Sequence, residues 1–200
     1  EYCKRLYFMK QARVLTRSEL KRVLAICSTH RHHHRNRLII LLSHYAGLRV
    51  GEIASLVWSD LLEANGSVKH VFYLTAKNTK SNEARAIHLN ELLMKEIANY
   101  LKAFGIETGG NMFSNPVIAS QKGKAFSANS LCQLFGRIYL EAGINDASSH
   151  SGRRWFITQL AHAGVSPKVI MELAGHKHLG TTQRYIEVNE DMKTAAVGLL

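Results

Sequence analysis

The chain has 200 residues, 46% of them hydrophobic, with only two prolines, which suits one cored domain and argues against a disordered chain. Lysine and arginine outnumber aspartate and glutamate 26 to 15, a net charge of +11 that favours an acidic polymer as partner. Cys3, Cys27 and Cys132 are far apart and odd in number, so they fit neither a zinc pair nor a disulfide framework and suit a reducing cytoplasm.

Residues 1–8 show no clear pattern, and the Arg and Lys that punctuate the first 25 residues do not suit a secretory leader. Thr16-Arg17-Ser18-Glu19 reads as a capping box that opens a helix with Leu20, Val23, Leu24 and Cys27 on its apolar face. His30 to Arg35 is a loop or helix start, and Leu38 to Tyr45 a buried helix stopped by Gly47. That apolar run is broken by Ser43 and His44, far short of the ~20 residues a membrane span needs. Val50 to Val57 starts another helix, with Glu52 on its first turn. Val68 to Ala76 and Ala84 to Leu89 read as two strands around the polar turn Lys77 to Asn82, a β-hairpin. Asn90 caps a helix to about Ala103, and Ser127 to Ala142 forms another that stops near Gly143. The last third reads as short helices separated by Gly164, Gly175 and Gly180. The expected fold class is mostly α with a small antiparallel β-sheet, an α+β domain.

Within this frame a few side chains could share a site. His150 and Arg153 are three apart and share a helix face, whereas Arg153 and Arg154 point ~100° apart, so at most one of the pair is expected to join. His176 and Tyr185, nine apart, would face opposite ways on one continuous helix; breaks at Gly175 and Gly180 permit them to converge. Arg49 follows Gly47 at a helix junction, where Glu52 one turn on can hold its guanidinium. Arginine suits such a place because its planar fork makes paired hydrogen bonds to phosphate oxygens. Each of these residues also has an ordinary reading: a solvated helix end for His150 to Arg154, a core residue for Tyr185, a hydrogen-bonded core histidine for His176. His30 and His34 could pair as metal ligands, but no carboxylate or cysteine lies beside them in sequence. Asp60, Glu63 and Asp146 form no close acidic set of the kind two-metal nucleases use. No metal and no other cofactor is expected.

Taken together, these segments resemble the catalytic domain of the tyrosine site-specific recombinases, the phage-integrase family, over roughly residues 10–198. Gly47-Leu48-Arg49 with Glu52 matches the first arginine box, and Thr79-Lys80 with Arg85-Ala86-Ile87-His88-Leu89 the hairpin lysine pattern. His150-Ser151-Gly152-Arg153, Leu173-Ala174-Gly175-His176 and Thr182-Gln183-Arg184-Tyr185 match the remaining three boxes. Each box is weak alone; five in the family's order are a strong signal. Gly152 stands where the family has a large apolar residue, so this helix should pack differently, and His88 stands where it has proline. The resemblance makes residues 10–200 one catalytic domain and residues 1–9 an extension or linker, with room for almost none of the small helical DNA-binding domain that usually precedes it: the chain is expected to be either an excised fragment or a short stand-alone relative.

The resemblance implies a site-specific recombinase or integrase of a phage or other mobile element, which cleaves and rejoins double-stranded DNA without metal or ATP. Tyr185 would attack the phosphorus, leaving a 3′-phosphotyrosyl bond. His150 would be the base, Arg49 and Arg153 the oxygen clamp, Lys80 the acid for the leaving 5′-oxygen, and His176 a further hydrogen bond; Glu52 would support Arg49. It also implies a homo-tetramer on two DNA sites, with the tail Asn189 to Leu200 suited to docking on a neighbouring subunit or on its own domain. The location would be cytoplasmic, with the nucleoid, and not a membrane. Two other readings share these residues: a type IB topoisomerase, and a non-catalytic DNA-binding protein on the same scaffold.

Overall fold

The computed structural model describes residues 12–75, 84–103, 110–121, 123–185 and 190–198. Helix α1 (Arg17–Thr29) opens as the sequence indicates: the Glu19 N–H donates to Thr16 Oγ1, the Thr16 N–H donates back to the Glu19 carboxylate, and Leu20, Val23 and Cys27 are buried. Helix α2 (His33–Tyr45) is the axis of the domain. Leu38, Ile39, Ile40, Leu41, Leu42, Ser43 and His44 are all buried, as expected of a helix enclosed on every side. It packs against α1, against α5 (Glu91–Ala103) and against α7 (Ser151–His162). The Leu93 N–H donates to Asn90 Oδ1 at 2.9 Å, so Asn90 does open α5.

Helix α3 (Val50–Ser55) ends two residues before the expected Val57, and a single turn, α4 (Trp58–Leu61), follows it. Strands β1 (Val71–Leu74) and β2 (Arg85–His88) pair antiparallel, with Val71 opposite His88 and Leu74 opposite Arg85. Phe72, Leu74 and Ile87 face the core while Tyr73 and His88 face outward, the alternation of a one-sided sheet. The turn expected at Lys77 to Asn82 lies outside the described residues. A 3₁₀ turn, Gly110–Ser114, leads to α6 (Ala128–Glu141), capped by Ser127.

The last third holds α7, α8 (Pro167–Ala174), α9 (Leu179–Gln183) and α10 (Glu190–Val197). Gly164 and Gly175 take positive φ between helices as expected, but Gly180 does not separate helices: it lies inside α9. The break that matters follows α8, where Gly175 at φ 62° is the left-handed cap. Ile157, Ala161, Ile170 and Ala174 form a small second core, with Phe156, Leu160, Val165 and Tyr185 packed against it.

Gly152 explains how α7 and α2 approach each other. A Cβ at this position would lie 2.7 Å from His44 Nδ1 and 2.8 Å from Ser43 Cβ, and closer still to Ser43 Oγ. The space a large apolar residue would fill is occupied here by α2 itself. Gly152→Ala should therefore destabilise the domain by about 1–3 kcal/mol, the usual cost of overpacking, and Gly152→Leu by more. Urea unfolding of the purified variants checks this; a midpoint unchanged in Gly152→Ala would contradict the close α2–α7 contact.

Candidate active site

The site is organised around the C-terminal end of α8. The last carbonyls of a helix have no partner within it and carry its partial negative charge. Here three successive carbonyls accept from three different arginines. Arg85 Nη1 donates to Leu173 O at 2.7 Å, Arg153 Nη2 donates to Ala174 O, and Arg49 Nη2 donates to Gly175 O at 3.2 Å. Arg153 also donates to Gly47 O at 2.7 Å, which ties α7 to the turn between α2 and α3. A residue other than glycine would not fit at either turn. Gly47 at φ 62° lies against the Phe156 ring, and Gly175 at φ 62° lies against the stem of Arg85, each with 2.5 Å between the nearest carbon and an ideal Cβ.

Glu52 balances this cluster from the first turn of α3. It is 2% exposed and accepts from Arg49 Nη1 at 2.8 Å, from the Arg49 N–H at 2.7 Å and from Arg85 Nη2 at 2.7 Å. Burial alone would push its carboxyl up, but Arg85, the Arg49 N–H and the Arg49 guanidinium outweigh burial and hold it below its ordinary value. Burial, with Arg49 and Arg85 nearby, pushes Arg153 down to about 9, so it still carries its charge at neutral pH.

His176 follows Gly175 directly. Its Nδ1 is 2.9 Å from Thr182 Oγ1, and its ring stacks on that of Tyr185 with centroids 5.8 Å apart and planes at 21°. The chain break after α8 thus brings His176 and Tyr185 together, although Gly180 has no part in it. Burial first, then Arg153, Arg49 and Arg85, push His176 down to about 4, so the ring is neutral at pH 7. A Thr182 hydroxyl that donates to Nδ1 places the ring proton on Nε2, which then points a donor elsewhere.

His150 occupies the N-cap position of α7 and is exposed at the helix mouth, whereas Arg153 is buried one turn in. Lys80 lies outside the described residues, as does Lys77; Arg85 opens the strand that follows them. The expectation that only one of Arg153 and Arg154 would join the site is corrected. Arg153 turns toward the carbonyls, and Arg154 Cζ lies 5.1 Å from the centroid of the Tyr185 ring. Sequence reasoning also left Arg85 and Thr182 without a role. Arg85 stood within the hairpin pattern and Thr182 within the tyrosine box, but their partners are distant in sequence.

The fold brings a carboxylate distant in sequence to the histidine-rich segment: His30 Nε2 is 2.6 Å from Glu141 Oε2, and His30 Nδ1 is 3.0 Å from Asn36 Nδ2. Both ring nitrogens are engaged within the protein. Among the described residues no three of His, Cys, Asp or Glu gather into a metal-ligand set.

The sequence model of the phage integrase family matches residues 13–192, and the chain belongs to that family. It is 30% identical over 197 residues to transposase A from transposon Tn554 of Staphylococcus aureus, covering 92% of this chain and 51% of that protein. It is 31% identical over 176 residues to tyrosine recombinase XerA of Thermococcus kodakarensis, covering 88% of this chain and 58% of the relative. The chain thus spans little more than half the length of these relatives. Its fold is also that of the Tn1549 transposon integrase, solved with a circular intermediate DNA: TM-score 0.75 at 20% identity, over 96% of this chain and 67% of that one.

One buried and one half-buried imidazole give the domain an acid limit. His44 is fully enclosed, with Nδ1 at 2.8 Å from Ile40 O, and burial pushes it down to about 4, as for His176. An unfolded histidine takes its proton near pH ~6.5. Both folded-state values are depressed, so the stabilisation is complete above ~6.5 and is lost as pH falls toward 4. His44 alone should account for about 3 kcal/mol of that loss, and the half-buried His176 for less. Unfolding free energies measured by urea at pH 7, 5.5 and 4 test this; a flat profile over that range would remove both rings as the cause.

Proposed function

We propose that the chain is the catalytic part of a site-specific DNA recombinase or integrase that cleaves and rejoins double-stranded DNA through a 3′-phosphotyrosyl intermediate. What supports this reading is the meeting of Arg49, Arg153, His176 and Tyr185 at the end of α8, from four separate segments. A phosphodiester placed there meets two guanidinium forks whose orientation is already set by backbone carbonyls and Glu52. The remaining N–H groups of Arg49 and Arg153 are the donors for its non-bridging oxygens, where negative charge builds in the transition state.

Tyr185 Oη attacks the phosphorus, the bond to the 5′-oxygen breaks, and the enzyme is left joined to the 3′-phosphate. His150, exposed at the mouth of α7, takes the phenolic proton. Neutral His176 donates from Nε2 to a phosphate oxygen. Lys80 supplies the proton that the leaving 5′-oxygen needs. A 5′-hydroxyl from a second strand reverses the step, so bond energy is kept and no ATP is consumed. No metal is assigned to the mechanism, because the arginines carry the positive charge.

The proposal extends to a homo-tetramer on two DNA sites, with the segment after Tyr185 docked on a neighbouring subunit. Helix α10 presents Val197 at 70% exposure, an apolar side chain suited to such a contact. Net charge of +11 and relatives that act in transposition and recombination support DNA as partner, and the DNA-bearing compartment, the cytoplasm, as location. No described helix is long and apolar enough to cross a membrane.

Tyr185→Phe removes only the phenolic oxygen. It should retain fold and DNA binding but form no covalent adduct on a nicked suicide substrate, read by a denaturing gel. Tyr139 cannot substitute, since it is fully buried; an adduct surviving in Tyr185→Phe would overturn the assignment of the nucleophile.

Lys80, rather than Lys77, is the proton donor in this scheme. A substrate whose 5′-bridging oxygen is replaced by sulfur has a leaving group that needs no acid. It should restore cleavage to Lys80→Ala and not to Lys77→Ala; the reverse pattern would exchange the two roles.

A further inference from the structure

Two features of α7 and one of Tyr185 bear on the nucleophile. First, its start is fixed twice: Gly152 lies directly on Ser43 and His44 of α2, and Arg153 is held by Gly47 O and Ala174 O. Second, the next residue, Arg154, is turned by about 100° from Arg153, and its guanidinium lies over the Tyr185 ring, Cζ to centroid 5.1 Å. Third, among the described residues Tyr185 is held locally by its backbone alone. It occupies the turn that follows the five-residue helix α9, with its N–H on Thr182 O at 3.0 Å. Side-chain contacts must therefore set the direction of its ring. Among the described residues these are the apolar residues of the second core, the neutral ring of His176, and Arg154.

We propose that Arg154 is a positioning residue, which carries the rigid placement of α7 to the Tyr185 ring and aims its oxygen. The proposal rests on the recombinase reading above for the reaction, but not for the contact itself. A planar guanidinium suits this task because it lies flat on an aromatic face and is attracted by the ring's negative quadrupole. Lysine keeps the charge but offers no plane. The charged group that flanks Arg154 on its own helix, Arg153, is committed to the carbonyls, and His176 on the facing segment is uncharged at neutral pH, so neither substitutes for it. An oxygen that must meet phosphorus in line loses rate quickly when it is misaimed: a displacement of ~1 Å can cost ~100-fold.

The test uses Arg154→Gln and Arg154→Lys in the full chain, with two readouts. The first needs no DNA. The protein is labelled with 3-fluorotyrosine and the Tyr185 ¹⁹F signal is assigned by its loss in Tyr185→Phe. In Arg154→Gln that signal should move toward the free amino-acid position, while the signals of the other tyrosines stay in place. In Arg154→Lys it should move part of the way. The second is single-turnover cleavage of a suicide substrate alongside DNA affinity. Arg154→Gln should lower the cleavage rate about tenfold or more and leave affinity within about twofold, with Arg154→Lys between it and the wild type. A Tyr185 signal that does not move in Arg154→Gln overturns the proposal. So does a loss of cleavage explained wholly by weaker DNA binding, which would make Arg154 a phosphate contact. Movement of every tyrosine signal would show a general structural role and also overturn it. If the wild type forms no adduct, the recombinase reading fails, and the ¹⁹F result still decides whether Arg154 orients the ring.

Discussion

The free C-terminal end of α8 is the constraint on which the site depends. Three carbonyls in succession, from Leu173, Ala174 and Gly175, must find donors outside the helix, and Arg85, Arg153 and Arg49 supply them. Each arginine comes from a different element, so one helix end gathers β2, α7 and the start of α3. The negative end of the helix dipole makes the gathering of cations tolerable, and Glu52, between Arg49 and Arg85, adds a full negative charge. Breaking such a buried pair by removing one partner typically costs about 3–5 kcal/mol. The cluster therefore joins stability and the proposed function: the groups that would receive a phosphate are the groups that close the fold.

Backbone proximity is the second requirement, and glycine meets it at three places. Gly47 and Gly175 take left-handed turns against Phe156 and the stem of Arg85, and Gly152 lets α7 lie on α2. The consequences reach beyond packing. With the start of α7 seated on α2, Arg153 reaches two carbonyls from different segments. The reversal after Gly175 sends His176 back toward Thr182 and Tyr185. A departure from the family's usual residue at Gly152 is thus compensated by Ser43 and His44 on the facing helix.

Charge is divided within the site. Burial, together with the field of Arg153, Arg49 and Arg85, keeps His176 neutral. A neutral imidazole can present a single N–H without adding another cation to a crowded cluster. Because α3, α7 and α8 fix these groups through bonds within the protein, the proposed reaction would demand little reorganisation of the site, which is where electrostatic catalysis draws its strength.

Much of the architecture was legible in the sequence because its signals are local. The capping box at Thr16, the apolar run of α2, the alternating strands and the order of the five boxes each depend on neighbours a few residues apart, and period and spacing report them. The roles of Arg85, Arg154 and Thr182 were not legible, nor was the fit of Gly152. The acceptors for Arg85, Arg153 and Arg49 lie 88, 21 and 126 residues away, and they are backbone carbonyls, which every residue possesses. No residue type at Leu173, Ala174 or Gly175 advertises them as acceptors. The same holds for the direction in which Arg153 and Arg154 diverge: helix geometry states that they part, but only packing against α2, α8 and α9 decides that one meets carbonyls and the other the tyrosine ring. Residue identity and local period determined the elements and the candidate side chains; their partners were decided by which distant backbone the tertiary fold brought within hydrogen-bonding reach.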